Sequence, residues 1–133
     1  MAYLELLVAA VAAFFLGFVW YTALFGKAWQ AETGITDEEA QSDMARTHGL
    51  AFLMMIITAY AINYVVSLHE VAEQTFTHGA FHGVLACALY ALPLMIIHYL
   101  YQRKSLKLIL IDGGYALAFF ALQGGVLGAL HLG

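Results

Sequence analysis

Four long apolar runs separated by three polar breaks make up this chain. They lie at about Leu6–Phe25, Gly49–Leu68, Phe76–Tyr101 and Leu106–His131. Each comes near the roughly 20 residues needed to cross a bilayer as a helix. A helix on a soluble protein carries one apolar stripe, whereas these segments are apolar all round, which suits lipid as their surroundings. The pattern predicts an all-α polytopic membrane protein. It consists of one domain over residues 1–133, with transmembrane helices at about 3–25, 46–68, 76–101 and 106–131 paired as two antiparallel hairpins. The first run exceeds the core of a signal peptide and has no basic leader, so it is expected to stay in the mature protein.

The breaks differ in character. Residues 26–45 form the one long polar loop. Within it, Thr36 and Glu39 have capping-box spacing, which predicts a short amphipathic helix at about Asp37–Ala45 that can run on into the second membrane helix. The second break, His69 to Thr75, has no Lys or Arg; the third is the tight basic turn Arg103-Lys104-Ser105. Lys27, Arg46, Arg103, Lys104 and Lys107 all flank the first and third breaks. The positive-inside rule then predicts both of these loops in the cytoplasm and both termini outside. Pro93 inside the third run is expected to kink that helix and free a carbonyl near Leu89. Each half reads as a helix ending in aromatics and a basic turn, followed by a helix that meets a polar residue beside glycine (His48-Gly49, then Asp112-Gly113). That is a faint parallel repeat, a plan used by transporters.

Composition sharpens this picture. The chain is 63% hydrophobic and 11% charged, against about a quarter charged in soluble domains. Its mean hydropathy is +0.81. The single cysteine, Cys87, rules out an internal disulfide and reads as a small packing residue. Five Lys and Arg spread over two turns make no groove for nucleic acid.

Ionisable residues at depth in a bilayer are costly, roughly 2.5–3.5 kcal/mol for a central Asp, so they mark candidate sites. His98 lies seven residues before Ser105 and Asp112 seven after. In a hairpin the two would be level, roughly 10 Å from the turn at 1.5 Å per residue. Tyr21 and His48 fall in the same layer, so Asp112, His98, His48 and Tyr21 form the candidate intramembrane polar site, able to relay a proton or hold a cation. The plainer alternative has Asp112 snorkelling to Lys107 or Arg103 to pin the turn. Glu5, Asn63, His78, His82, Gln123 and His131 fall in the opposite layer. His78 and His82, at i and i+4, share a helix face and have metal-ligand spacing, with Glu5 or Glu70 as a third ligand. Gly79 and Gly83 share nearly the same face, and with Gly124 and Gly128 they read as small packing positions. Bis-histidine haem, through His48 with His98 or His82 with His131, is a further option for a bundle of this kind. No catalytic motif appears.

Gly17-Phe18-Val19-Trp20-Tyr21, followed by Leu24-Phe25-Gly26-Lys27-Ala28-Trp29, resembles the signature of DUF1761, a bacterial family of small four-helix membrane proteins. Trp20, Tyr21, Phe25, Gly26, Lys27 and Trp29 carry the likeness. Gly34-Ile35-Thr36 with its acidic run, Met44-Ala45-Arg46, Gly49-Leu50-Ala51-Phe52, and Leu106-Lys107-Leu108 followed by Asp112-Gly113-Gly114-Tyr115 extend it. The resemblance implies four membrane helices and an inner-membrane address; it implies no activity.

Three functions are consistent with these residues. The leading one is an oligomer, a dimer by preference, that moves a small solute or ion past Asp112 and His98. The second is an accessory or scaffold subunit that recruits a protein partner through the acidic loop and packs through its glycine and alanine faces. The third is a haem- or metal-binding redox protein. An enzyme is not expected, and the expected partners are membrane lipid and further copies of the chain.

Overall fold

The computed structural model describes residues 2–130, and among these every regular element is helical. Helix α1 (Ala2–Val19) runs through a π turn at Trp20–Leu24 and is followed by α2 (Gly26–Thr33) and α3 (Asp37–Gln41). Then come α4 (Met44–Ser67), α5 (Phe76–Ala86), a second π turn at Cys87–Ala91, α6 (Leu92–Tyr101) and α7 (Leu106–Ala129). Four spans are long and apolar enough to cross a membrane: Tyr3–Leu24, Met44–Ser67, Phe76–Tyr101 and Leu106–Ala129. The protein is therefore a four-helix membrane bundle by length and composition. His131, expected near the end of the fourth span, lies outside the described residues.

The polar loop contains more helix than its sequence suggests. Its second half follows the cap signal: the Thr36 hydroxyl accepts from the Glu39 amide at 3.1 Å and starts α3. That helix does not continue into the membrane. Ser42 is extended and Asp43 sits at φ +50°, a left-handed conformation that Asp tolerates and that separates α3 from α4. Helix α2 was not anticipated. It begins where Gly26 passes so close to the Tyr21 carbonyl that an added Cβ would lie 2.6 Å from its oxygen.

Small residues set how closely the spans approach. The most extensive contact joins α5 to α7. There Gly79 meets Gly124, Gly83 meets the Phe120 carbonyl, and Gly128 meets the Thr75 carbonyl, each too close for a side chain on the glycine. The expected packing glycines are thus used within one chain. Ala9, Ala10 and Ala13 are wholly buried on α1. They let α1 lie against Met55, Ala59 and Ile62 of α4 and Phe119 and Leu127 of α7. Midway along, Gln123 is fully buried. Its amide nitrogen donates to the Met55 carbonyl at 2.9 Å and the Ala9 carbonyl at 3.4 Å, while its Oε1 has no hydrogen-bond partner. Those two bonds add to carbonyls at the helix backbone, and the orphaned oxygen offsets their gain. Gln123→Leu is therefore expected to change thermal stability by less than about 1 kcal/mol, read as the shift in melting midpoint in detergent.

Pro93 acts where its chemistry requires. Lacking an N–H and crowding the carbonyl four residues back, it is preceded by a widened turn in which the Leu92 amide reaches the Cys87 carbonyl. On either side of it, Leu92, Met95 and Tyr99 form the stripe of α6 that faces α7: the first two approach Gly113, and Tyr99 bonds Asp112. The turn to α7 closes with Arg103 at φ +59°. Ser105 then caps α7 by accepting from the Leu108 amide at 3.1 Å. The same hydroxyl donates to Glu32 at 2.6 Å, tying α2 to the basic turn. Ser105→Ala removes both bonds and is expected to cost about 1 kcal/mol of stability, measurable by thermal unfolding in detergent.

Candidate functional site

Asp112 sits two turns into α7, and two tyrosines reach it from different spans. The Tyr21 hydroxyl donates to Oδ1 at 2.6 Å and the Tyr99 hydroxyl donates to Oδ2 at 2.6 Å. Both carboxylate oxygens are thereby engaged, and among the described residues no Lys, Arg or His bonds to them. Tyr21 reaches inward because the π turn at Trp20–Leu24 re-phases the end of α1. The same turn lets Trp20 donate from Nε1 to the Ile111 carbonyl at 3.1 Å. The Trp20 ring settles where Gly114 leaves room: a Cβ there would lie 3.0 Å from it. Tyr21 also meets Trp29 and Tyr115 edge-on, at centroid distances of 5.7 and 5.2 Å. Trp20 stacks at a tilt on Phe25.

Two stretches far apart in sequence, Trp20-Tyr21…Phe25-Gly26…Trp29 and Asp112-Gly113-Gly114-Tyr115, therefore build one aromatic enclosure around a carboxylate. Lys27 is exposed on α2.

The remaining predicted members of this site are elsewhere. His98 is exposed and makes no hydrogen bond to Asp112; Tyr99, its neighbour, takes that place. The reason is helical phase. The seam of α6 runs through 92, 95 and 99, and position 98 is turned about 100° away from 99. Equal counting from the turn gives depth without azimuth. His48 is exposed on α4, its ring edge-on to Phe14 at 5.6 Å. It lines an open groove with Val11, Phe14, Phe15, Gly49 and Phe52, far from α6 in the pattern of contacts. The groove that His48 lines does not include His98, and the pairing of His82 with His131 lies partly outside the described residues.

A second polar cluster forms where the turn after α4 meets the start of α5. Thr75 caps α5 by accepting from the His78 amide at 3.2 Å, which fixes His78 in the first turn and His82 one turn on. Their Nε2 atoms lie 2.9 Å apart. The third member is His69, whose ring centroid is 4.7 Å from that of His78 and 4.3 Å from that of His82. One potential ligand atom from each imidazole lies within 4.8 Å of the others. Neither Glu5, which is buried at 5% exposure in the first turns of α1, nor Glu70 belongs to this group. His69 fills the third place because the turn Leu68–Gln74 folds back over α5: Gln74 donates from Nε2 to the His69 carbonyl at 2.8 Å. A histidine directly after an apolar run and nine residues before His78 was the available signal for it.

Four helices long and apolar enough to cross a membrane, with a carboxylate held between tyrosines toward one end and three imidazoles toward the other, define a class: a small polytopic membrane protein with a polar cluster at each end. The chain belongs to a particular family within that class, DUF1761, described as a protein of unknown function, whose profile matches residues 4–128. No curated protein and no solved structure matches the chain.

Proposed function

We propose that the protein is a multi-pass protein of the bacterial inner membrane that handles a proton or small cation at Asp112. The basic-turn end would lie in the cytoplasm and both termini outside. The observation that supports this is a carboxylate inside the fourth span with hydroxyl donors on both oxygens and no bonded cation among the described residues. A tether between helices needs only a neutral acceptor. Placing an acid there instead brings an insertion cost, at most the roughly 2.5–3.5 kcal/mol of an acid at mid-bilayer, which a role for its charge explains. Tyr21 and Tyr99 hold the carboxylate, and the surrounding rings keep its surroundings of low polarity. Farther from the basic turn the interior is filled by Gln123 and the alanine contacts, so a route onward would run between copies of the chain. The functional unit is accordingly an oligomer, with a dimer the simplest case.

The test is flux in proteoliposomes loaded with a pH-sensitive dye under an imposed proton gradient, with and without K⁺ or Na⁺. The parent is expected to dissipate the gradient or conduct the cation, and Asp112→Asn to abolish this while remaining folded. A parent no leakier than empty vesicles contradicts the reading.

A second reading, an accessory subunit, draws support from Asp37, Glu38 and Glu39, all exposed on α3. It expects a protein partner to co-purify and to be lost when the three are neutralised. A chain that purifies only with itself speaks against it.

A further inference from the structure

Three imidazoles meeting at one end of a membrane bundle call for an explanation of their own, apart from Asp112. The first clue lies behind the rings. His69 Nδ1 is 3.1 Å from the Val65 carbonyl and His78 Nδ1 is 3.0 Å from the Glu73 carbonyl. A carbonyl oxygen only accepts, so in the neutral ring each Nδ1 carries the proton and each Nε2 holds a lone pair, which on His78 accepts from His82 Nε2. This is the arrangement that orients histidine as a metal ligand: the outer nitrogen is anchored on the backbone and the inner one is free to coordinate.

The second clue is spacing. Two imidazole nitrogens bound tetrahedrally at about 2.0–2.1 Å from one ion stand roughly 3.3 Å apart. The Nε2 atoms of His78 and His82 are 2.9 Å apart, His82 donating to His78, so an ion would take the place of that one hydrogen with a few tenths of an ångström of opening. The third clue is room. A cavity of about 10 Å³ lies among the three rings, Val66, Glu73 and Gln74. That is close to the volume of one water-sized sphere, enough for a single ion and for little else. Packing alone would not require two rings to be anchored at Nδ1 on backbone carbonyls while all three imidazoles line one small void.

We propose that His69, His78 and His82 bind one first-row transition-metal dication of the Zn²⁺ type. An all-imidazole donor set selects Zn²⁺, Co²⁺, Ni²⁺ or Cu²⁺ over Mg²⁺ and Ca²⁺, which take oxygen ligands. Three protein ligands leave a fourth position, which a water completes as a tetrahedron. Because His69 comes from the turn and the other two from α5, the ion would clip the end of α4 to the start of α5. The site rests on no assumption about Asp112 or about which side of the membrane it faces.

The test uses the full chain in detergent, purified through a tag without histidines and stripped with chelator. Zn²⁺ is titrated calorimetrically, and Co²⁺ is added separately to read geometry by its visible spectrum. Expected are one Zn²⁺ per chain, an intense tetrahedral Co²⁺ spectrum, and no response to Mg²⁺. His69→Ala, His78→Ala and His82→Ala should each weaken Zn²⁺ binding at least about tenfold, and His48→Ala should leave it unchanged. No saturable Zn²⁺ binding, a weak octahedral Co²⁺ spectrum, or affinity unaffected by His69→Ala would overturn the proposal. Should a variant fail to fold, the parent's Co²⁺ spectrum and stoichiometry decide alone.

Discussion

Replacing Gly83 with alanine is expected to lower the stability of the bundle by about 2–3 kcal/mol, and replacing it with leucine to leave no folded protein in detergent. An added Cβ at this position would fall on the carbonyl of Phe120 in α7, and a backbone carbonyl in a helix cannot swing aside as a side-chain tip can. The helices must separate instead. Separation would also disturb the contacts of Gly79 with Gly124 and of Gly128 with Thr75 along the same seam. In lipid this close contact is most of what holds two helices together, because burying apolar surface gives no advantage over acyl chains. Gly49 is the matched control. It has nothing within 4 Å of an added Cβ, so Gly49→Ala is expected to be neutral or to stabilise by up to about 1 kcal/mol through helix propensity. Melting midpoints in one detergent compare the pair, and a Gly83→Ala protein as stable as Gly49→Ala would mean that α5 and α7 do not touch there.

Asp112→Leu is expected to cost about 2–4 kcal/mol, and Asp112→Asn about 1 kcal/mol, in reversible unfolding from mixed micelles. Leucine leaves the Tyr21 and Tyr99 hydroxyls with no acceptor in an apolar enclosure, and each unsatisfied donor carries a penalty of about 1–3 kcal/mol. Asparagine keeps one oxygen and so retains one of the two bonds. Relief of the acid's insertion cost does not cancel this loss, because an unfolded chain still in the membrane carries the same acid. If leucine proves as stable as the parent, the two tyrosine bonds do not hold the helices.

Much of the architecture could be read from the sequence. Runs near 20 apolar residues, the Thr36–Glu39 cap and the basic turn at Arg103-Lys104 are local signals, and the four spans follow from them. Hydropathy says that a segment crosses but not which residues face inward. The position of Asp112 near the start of the fourth span is legible, and the expected layer puts Tyr21 beside it; the inward turn of Tyr21 depends on the π turn at Trp20–Leu24, which has no clear sequence signature. Tyr99 and His98 differ by one position and thus by azimuth alone, and the 92/95/99 stripe distinguishes them once Gly113 is seen to face it. His69 was passed over because it lies in a loop, and its approach to His78 depends on how that loop folds back. The glycines were recognised as packing residues, but whether they pack within a chain or between chains is a tertiary outcome that spacing does not decide.

The claim on which the account turns is that Asp112 is held in company inside the bundle, and a double-mutant cycle measures this directly. Unfolding free energies of the parent, Tyr99→Phe, Asp112→Leu and the double variant, and the same set with Tyr21→Phe, give the coupling across each bond, because leucine removes both acceptors. Coupling of about 1–2 kcal/mol in each cycle is predicted, as for hydrogen bonds to a charged acceptor. Strictly additive effects in both cycles would contradict it.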